Sequence, residues 1–261
     1  MNLLTLGPAG TFSHEAAQDL HPDATITLAA NFDALFEELQ TSGGIGLVPL
    51  ENSLHGPVDE VLDLLRHTDV KIWKTEDVAV RHCFGAVDAS KVKRIASHPQ
   101  ALSQCRLFLR EHYPHAEHFP VSSTAFAIEL ALKDPIIGAI ASAKAMEERK
   151  LPIIDRDIQP KGNTTRFALV SKTDPFPDSP KSQMSVVLHP REDRPGLLHD
   201  LLTPFKVYDV SLTKIESRPT GLQLGDYVFF VDFSGNRDSA RVQKVLQEIE
   251  EMADVRVLGE W

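Results

Sequence analysis

The sequence is poor in cysteine, and its basic residues are outnumbered by acidic ones. The two cysteines, Cys83 and Cys105, lie far apart without CxxC spacing, which argues against a disulfide framework or a zinc site and fits a reducing cytoplasm. Lys and Arg total 27 against 37 Asp and Glu, a formal net charge of -10. Because no block of basic residues offsets this charge, we expect no nucleic-acid partner, and an anionic substrate would need a local cationic site.

Long apolar runs are also missing. The N-terminus, "MNLLTLGPAGTF", lacks the basic region of a signal peptide, and the run "PIIGAIASA" stops at Lys144, well short of a membrane span. We therefore expect a soluble, cytoplasmic protein with no membrane partner. With 42% hydrophobic and 25% charged residues, the chain is typical of globular proteins and long enough for a large domain and a small one.

The common cofactor motifs are absent as well. The stretch "GPAGTF" lacks the third glycine of a GxGxxG motif, and neither GxxxxGK[ST] nor HExxH occurs. Histidines such as His112, His115 and His118 lack the spacing of metal ligands, so we expect them at the surface. These absences disfavour nucleotide and zinc chemistry, and we expect no metal and no organic cofactor.

Short apolar runs alternate with polar loops and helix-period segments in the first two thirds of the chain, which is the pattern of an α/β domain. We predict that Ser13 caps the first helix, that another helix starts at Pro57, and that a third is capped at Ser97. The proline-rich segment "SKTDPFPDSPKSQ" predicts a linker. The elements after it follow the order βαββαβ over about eighty residues, the ferredoxin-like plan.

Polar residues follow several strands of the predicted α/β domain, at the points where helices begin. Unpaired N–H groups and the positive end of the helix dipole attract carboxylates and phosphates there, and ligands of open α/β sheets gather at this edge. Such residues are also the usual helix caps, so each is a weak candidate by itself. The candidates are Thr11, Ser13, Asn52, Ser53, Ser97, Ser123 and Thr124.

The stretch "KGNTTRFALVSK" places Thr165, Arg166 and Phe167 at the start of a predicted buried strand. On this segment alone, β-propensity explains the threonine and a solvated strand edge explains the arginine. Gln104 lies about two helical turns after Ser97, so the two side chains can share one side. A solvated glutamine is the simpler interpretation of that residue.

Taken together, six motifs in register resemble the prephenate dehydratase family with its C-terminal ACT regulatory domain. They are "GPAGTFSHEAA", "GLVPLENSLHGPVDEVLDLL", "SHPQALSQC", "SSTAFA", "GNTTRFALV" and "IESRP". The resemblance implies an α/β catalytic domain over residues 1–172, with two lobes like a type II periplasmic binding protein, roughly 1–75 with 164–172, and 76–163. It also implies a linker at 173–183 and a ferredoxin-like βαββαβ ACT domain at 184–261.

Matched residue by residue, the resemblance also implies the site. Thr165, Arg166 and Phe167 match the family's TRF motif in the cleft between the lobes. The other positions implied as catalytic are Asn52, Ser97 and Gln104. The positions implied for substrate binding are Thr11, Ser13, Glu51, Ser53, Ser123 and Thr124.

The ACT resemblance implies an effector site for L-phenylalanine at the seam between two chains, in a homodimer or homotetramer. One face of the ACT sheet is expected to be free of helices, so that two copies can extend one sheet. The family's Gly-Ala-Leu-Val motif reads Gly-Leu-Leu-His here, so that the glycine and the central leucine are retained and the other two residues differ. The implied effector residues are Gly196, Leu197, Leu198, Glu216, Ser217, Arg218 and Pro219.

The implied reaction converts prephenate to phenylpyruvate, CO₂ and water. Arg166 is suited to a bidentate carboxylate contact, and Thr165 is expected to hydrogen-bond the departing C4 hydroxyl rather than act as a full acid. Two alternatives stay open: an arogenate dehydratase, which these motifs do not exclude, and a non-catalytic amino-acid sensor, which the presence of both residues disfavours. Because no chorismate mutase segment precedes the first strand, we expect a monofunctional enzyme.

Overall fold

A computed structural model describes residues 1–221 and 225–261. The first part of the chain builds half of one large, ten-stranded sheet and three helices. Its elements are β1 (Asn2–Leu6), α1 (Phe12–Leu20), β2 (Thr25–Ala29), α2 (Phe32–Thr41), β3 (Ile45–Asn52), β4 (Gly56–Pro57), α3 (Asp59–His67) and β5 (Lys71–Ala79). Strands β1, β2 and β3 run parallel, so their carboxyl ends lie along one edge of the sheet.

The second part of the chain forms a separate sheet of five strands in the order β10-β6-β9-β7-β8. Its elements are β6 (Cys83–Gly85), β7 (Arg94–Ser97), α4 (Pro99–Gln104), α5 (Arg106–His112), β8 (Glu117–Pro120), α6 (Thr124–Lys133), β9 (Ile137–Ala141), α7 (Ala143–Arg149) and β10 (Ile153–Asp155). The chain then returns to the first sheet as β11 (Thr164–Ser171), antiparallel to both β3 and β5. We call the part around the first sheet lobe 1 and the part around the second sheet lobe 2.

The C-terminal part has the predicted βαββαβ order. Its elements are β12 (Gln183–Pro190), α8 (Leu197–Val207), β13 (Leu212–Pro219), β14 (Tyr227–Ser234), α9 (Ala240–Glu250) and β15 (Ala253–Glu260). The strands are antiparallel in the order β13-β14-β12-β15. The turn that we predict between β13 and β14 includes residues 222–224, which lie outside the described residues.

The C-terminal sheet has two buried faces. One face packs on α8 and α9 around Phe205 and Phe233. The other contributes Val187, Val228, Phe230 and Leu258 to a core shared with α2 and α3 of lobe 1. The expected free face is therefore wrong for this chain, because lobe 1 covers it. Burying each of these large side chains is worth roughly 1.5–3 kcal/mol, which ties the two domains together.

The large sheet continues from one domain into the other at the edge of β15. Gly259 pairs with Ile72 of β5, and a Cβ at Gly259 would lie 2.1 Å from the Ile72 carbonyl oxygen. Only glycine allows this approach of two backbones. Since β5 occupies the β15 edge, β13 is the edge strand at the end of the strand order.

Three helix starts differ from the sequence predictions. Thr11, not Ser13, caps α1, because its side chain accepts from the His14 N–H. Helix α3 begins after Val58, and Pro57 belongs to β4 instead. The cap of α4 is His98, one residue after Ser97. Each error is one or two residues long, as is usual at helix ends, where several polar neighbours compete to cap. Within the described residues, no helix has both the length and the hydropathy needed to cross a bilayer.

Candidate active site

The carboxyl edges of the two sheets meet across a cleft. From lobe 1 come the loop before α1, the first turn of that helix and the end of β3, and from lobe 2 the end of α4 and both ends of α7. Arg149 of α7 donates from Nη2 to the carbonyl oxygen of Ala9 at 2.8 Å. The Ser142 hydroxyl bonds the Glu15 carboxylate of α1. These contacts join the lobes at the edge where ligands of α/β sheets bind.

Asn52 and Thr165 face each other at the bottom of this cleft. They are cross-strand partners in β3 and β11, so their side chains lie on the same face of the sheet. Asn52 is 4% exposed, and its Nδ2 donates to Thr165 Oγ1 at 3.0 Å. Two backbone groups fix the orientation of the amide: the Leu54 N–H donates to Oδ1 at 3.0 Å, and Nδ2 donates to the Thr164 carbonyl at 3.1 Å.

This orientation determines what the threonine hydroxyl can do. The Asn52 amide nitrogen has no lone pair to offer, so Thr165 Oγ1 can only accept from it. The hydroxyl proton of Thr165 is then left for another acceptor. In this position the Thr165 hydroxyl can donate a hydrogen bond to a ligand oxygen in the cleft.

Gln104 of α4 completes the cluster from lobe 2. Its Nε2 donates to Asn52 Oδ1 at 3.3 Å and lies 3.2 Å from His55 Nδ1. Its Oε1 accepts from Asn163 Nδ2 at 3.1 Å. Asn163 Oδ1 in turn accepts from Asn52 Nδ2 at 2.8 Å, so the two hydrogens of that nitrogen are shared among three acceptors, Asn163, Thr164 and Thr165. The four side chains Asn52, Gln104, Asn163 and Thr165, which we call the amide cluster, therefore join both lobes with neutral groups.

Sequence reasoning missed Asn163, His55 and a further neighbour, His82. Asn163 lies two residues before Thr165 in the quoted motif, so its position was a usable signal. His82 Nε2 lies 2.6 Å from Gln104 Oε1 across 22 residues of sequence. No local pattern predicts such a pairing, because it depends on how the segment before β6 packs against the end of α4.

Arg166 does not join the amide cluster. Successive side chains of a strand point to opposite faces, so Arg166 lies on the face of β11 away from Thr165, with its cross-strand partners Glu51 and Asp77. The guanidinium donates to both oxygens of Asp77, at 2.8 and 2.9 Å, and to Glu51 at 3.3 Å. The bond to Arg166 lowers the pKa of Asp77.

This placement does not support the predicted contact between Arg166 and a substrate carboxylate, because the guanidinium group of Arg166 already donates to two carboxylates of the protein. Glu51 also differs from the prediction, since it bonds Arg166 and, at 2.7 Å, Lys214 of β13. Phe167 is 2% exposed and packs with Leu3 under α1. It supports β11 in the core instead of lining the cleft.

Two of the predicted serines bond to the backbone. Ser97 is fully buried at the end of β7, and its hydroxyl donates to the Ile140 carbonyl of β9 at 2.7 Å. Its hydroxyl hydrogen is therefore used within the sheet of lobe 2. Ser53 donates to the Gly162 carbonyl at 2.8 Å and accepts from the Thr164 N–H at 3.0 Å. It ties the loop after β3 to the start of β11.

The remaining cleft candidates sit at two helix starts. Thr11 caps α1, and Ser13 lies buried in its first turn. Ser123 caps α6 by accepting from the Phe126 N–H at 3.0 Å, and Thr124 is the first residue of that helix. The two helices belong to different lobes and both start at carboxyl edges of the sheets. Peptide N–H groups of their first turns are unpaired within the helix and suit anionic ligands.

Glu15 is the buried carboxyl group of the interlobe contact. It is 9% exposed, and burial raises its pKa to about 7, although the hydrogen bond from Ser142 and the charge of Lys144 oppose the rise. Near neutral pH the group is therefore present in both protonation states. In the described part of the chain, no three His, Cys, Asp or Glu side chains come close enough to hold a metal ion.

Comparison with known proteins identifies the family. The family model "Prephenate dehydratase" matches residues 3–175, and the model "ACT domain" matches residues 191–251. The chain belongs to the prephenate dehydratase family. The family and the fold class expected from the sequence are thereby confirmed.

Relatives within the family match along nearly the whole chain. The bifunctional chorismate mutase/prephenate dehydratase of Aquifex aeolicus is 38% identical over 98% of this chain and 72% of that protein. The prephenate dehydratase of Methanocaldococcus jannaschii is 34% identical over 97% of this chain and 95% of that protein. The structure of prephenate dehydratase in complex with L-Phe from Arthrobacter aurescens has a TM-score of 0.88 at 32% identity, covering 100% of this chain and 89% of that one.

The predicted effector residues of the ACT domain lie at the start of α8 and along β13. Gly196 precedes α8 with a φ of 83°, a left-handed conformation that favours glycine, and a Cβ there would meet no atom within 4 Å. Leu197 packs into the ACT core, while Leu198 is 41% exposed. Glu216, Ser217, Arg218 and Pro219 form the end of β13.

Arg218 has partners that the sequence did not predict. Its Nη2 lies 2.7 Å from Asp63 Oδ2, and its Nη1 bonds the Asp59 carboxylate. Both acids lie in the first two turns of α3, in the catalytic domain of the same chain. The expected role of this side chain, closing an effector pocket from a neighbouring chain, is not supported by this pairing. It connects the ACT domain to α3 instead.

Proposed function

We propose that this protein is a prephenate dehydratase, which converts prephenate to phenylpyruvate, CO₂ and water. The observation that carries the proposal is the amide cluster, in which Thr165 accepts from Asn52 and keeps its proton for a ligand. The whole-chain likeness to relatives named for this activity supports it.

The reaction needs one proton and little covalent help. The ring carboxylate leaves as CO₂, its electron pair moves into the ring, and the C4 hydroxyl departs as the ring becomes aromatic. The oxygen takes up one proton and leaves as water. A hydroxyl group leaves poorly as hydroxide, so a hydrogen bond to its oxygen lowers the barrier most where charge develops.

In this proposal Thr165 provides that hydrogen bond. A threonine hydroxyl is a weak acid far from the pKa of a good proton donor at neutral pH, so its main contribution is stabilisation of the developing negative charge. Asn52 and Gln104 hold it in place without adding charge. The carboxylates of the substrate would bind at the first turns of α1 and α6, beside Thr11, Ser13, Ser123 and Thr124.

The direct test compares two substrates. Purified protein is incubated with prephenate and, separately, with arogenate, while phenylpyruvate and phenylalanine are followed by chromatography. We expect phenylpyruvate from prephenate at the higher kcat/KM. A preference for arogenate would identify the transaminated substrate instead. Turnover of neither compound would contradict the proposed activity and favour a binding protein without catalysis.

We also propose that L-phenylalanine inhibits the enzyme through the ACT domain of a homodimer or homotetramer. The Arthrobacter aurescens relative was solved in complex with L-Phe, which supports the choice of effector. Edge strand β13 and the start of α8 offer a seam for a second chain: Ile215 and Leu198 expose 42% and 41% of their surface there. The N–H groups that follow Gly196 would bind the amino acid's carboxylate.

The effector proposal is tested by substitution of Gly196. Gly196→Val should abolish inhibition by phenylalanine and leave the uninhibited kcat/KM within a few-fold of the native value. Gly43→Val is a matched control, because Gly43 has a similar φ of 77°, equal free space and a position in lobe 1. Full inhibition of the Gly196 variant, with phenylalanine still bound in calorimetry, would rule out this site.

A further inference from the structure

His82 lies at the crossing between the lobes, directly before β6. Its N–H donates to Gln159 Oε1 at 2.6 Å, and its carbonyl accepts from the Ile158 N–H at 3.0 Å. The chain returns to lobe 1 just after these two residues. The backbone of His82 therefore binds the outgoing and returning segments to each other. Its ring is 2% exposed and packs edge-on against Phe12, with ring centroids 5.0 Å apart.

The ring can bond Gln104 in only one way. Asn52 Oδ1 accepts from the Leu54 N–H, so Gln104 must present its Nε2 to that oxygen and its Oε1 to His82. An amide oxygen only accepts. Nε2 of His82, 2.6 Å away, must therefore carry a proton.

His82 is neutral at physiological pH. Burial lowers its pKa to about 4, and the nearby His55 acts in the same direction, whereas the bond to Gln104 opposes the shift. Nδ1 is then the unprotonated nitrogen, and it is buried with no hydrogen-bond partner among the described residues. The ring thus gives its single proton to Gln104.

A continuous series of hydrogen bonds runs from this ring to the side-chain hydroxyl of Thr165. His82 donates to Gln104, Gln104 donates to Asn52, and Asn52 donates to Thr165. The direction of donation is the same at each step. Without the donor at His82, Asn163 would be the remaining hydrogen-bond donor to the Gln104 oxygen. The Gln104 amide would then be free to tilt away from Asn52.

We propose that His82 is a positioning residue for the dehydration, which orients the Gln104 amide and, through Asn52, keeps the Thr165 hydroxyl aimed at the leaving oxygen. It touches no substrate atom. The proposal rests on the function proposed above, and it adds a residue from the interlobe crossing to the site.

The test uses two substitutions of nearly equal size. His82→Gln retains an N–H donor at the distance of the imidazole Nε2, whereas His82→Met has the same length without a donor. We expect kcat of the Met variant to fall about ten- to a hundred-fold, as for a displaced catalytic group. KM should stay within about three-fold, and the Gln variant should recover most of kcat.

A double substitution separates positioning from folding. In a Gln104→Met background, His82→Met should cost less than about two-fold further in kcat, because the two residues act through one contact. Equal losses in His82→Gln and His82→Met, at equal melting temperatures, would overturn the proposal. So would a full additional loss in the Gln104→Met background.

A spectroscopic measurement keeps the proposal testable whatever the substrate is. Long-range ¹H–¹⁵N NMR of the ¹⁵N-histidine protein, with His82→Gln to assign the signal, should show the Nε2–H tautomer at neutral pH. An Nδ1–H tautomer would overturn the positioning role even if prephenate is turned over. If the native enzyme turns over no prephenate, the proposed function fails, and the tautomer alone decides the claim for His82.

Discussion

The two faces of β11 have opposite chemistry although they alternate along one strand. On the cleft face, Thr165 accepts from the neutral amide of Asn52, which is bonded in turn to Gln104 and, through it, to His82. On the other face, Arg166 meets Asp77 and Glu51, and Glu51 continues to Lys214 of the ACT domain. The hydroxyl and the guanidinium belong to adjacent residues, yet they serve different parts of the molecule.

The difference separates the proposed catalytic group from a contact between domains. A leaving hydroxyl requires a hydrogen bond in a water-poor site, where amides can be oriented without the cost of burying charge. Charged side chains are tolerated on the other face because water reaches them: the side chains of Arg166 and Asp77 are 42% and 50% exposed. One strand thus places an uncharged site and a charged domain contact back to back.

Removing the Thr165 hydroxyl should have the largest effect. We expect Thr165→Val, which keeps the shape of the side chain, to lower kcat by roughly 10²–10³ with little change in KM, since the donor acts mainly in the transition state. Thr165→Ser is the matched control, because it keeps the hydroxyl and loses only a methyl group.

Steady-state kinetics on prephenate distinguish the outcomes. Near-normal kcat in the Val variant would mean that the Thr165 hydroxyl takes no part in the reaction. The catalytic role proposed for the cleft face of β11 would then be wrong. A loss of the same size in the Ser variant would assign the effect to packing.

Sequence predicted the fold class, and the family resemblance implied that Thr165 and Asn52 both belong to the site, but the pairing of these two residues was not predicted. The pairing was accessible because both residues end or begin strands at one edge of an α/β sheet. The separation of Arg166 from Thr165 was equally accessible, because adjacent strand residues face opposite ways. The family motif groups Thr165, Arg166 and Phe167 as one unit, and the match to it therefore did not show that Thr165 and Arg166 lie on opposite faces of the strand.

Other features could not be read from the sequence. Ser97 bonds a carbonyl 43 residues away, and His82 meets Gln104 only when the segment before β6 packs against α4. Arg218 of β13 bonds α3 because the ACT sheet lies on lobe 1, a contact between domains that no local pattern encodes. The predicted domain limits, near residues 172 and 184, stay predictions.

Substitution of Glu15 tests whether the contact between the lobes tolerates a charged carboxylate. The folded pKa of Glu15, about 7, exceeds the unfolded value of 4.5, so its contribution to stability is complete below pH 4.5 and is lost as the pH rises through 7. Glu15→Gln removes this dependence. Relative to the native protein, the variant should gain stability between pH 5 and 8, up to about 3 kcal/mol for a shift of this size.

Thermal unfolding at several pH values measures that gain. The difference in Tm between variant and native protein should grow by up to roughly 6–12 °C over this range, at about 2–4 °C per kcal/mol, and titrations common to both proteins cancel. Glu37→Gln, an exposed acid of α2, should show no such trend. A constant difference from pH 5 to 8 would mean that Glu15 has an ordinary pKa.

The smallest expected effect lies on the charged face, at Lys214. Its ammonium group bonds Glu51 at 2.7 Å, and the two side chains are 16% and 30% exposed. Partly screened pairs of this kind contribute roughly 0.2–1 kcal/mol, a fraction of the 1–3 kcal/mol typical of coupling between sites.

If the pair transmits the effector signal to β11, Lys214→Met should raise the phenylalanine concentration for half-inhibition by about two- to five-fold. The uninhibited kcat should not change, because the cleft face keeps all its hydrogen bonds. Lys74→Met, which removes an exposed lysine paired with Glu76 of the same strand, β5, should leave inhibition as it was. Inhibition curves of the native enzyme and the two variants compare these outcomes directly. A fall in kcat in the Lys214 variant with unchanged inhibition would mean that the charged face supports catalysis after all, and the division of β11 into two functions would be wrong.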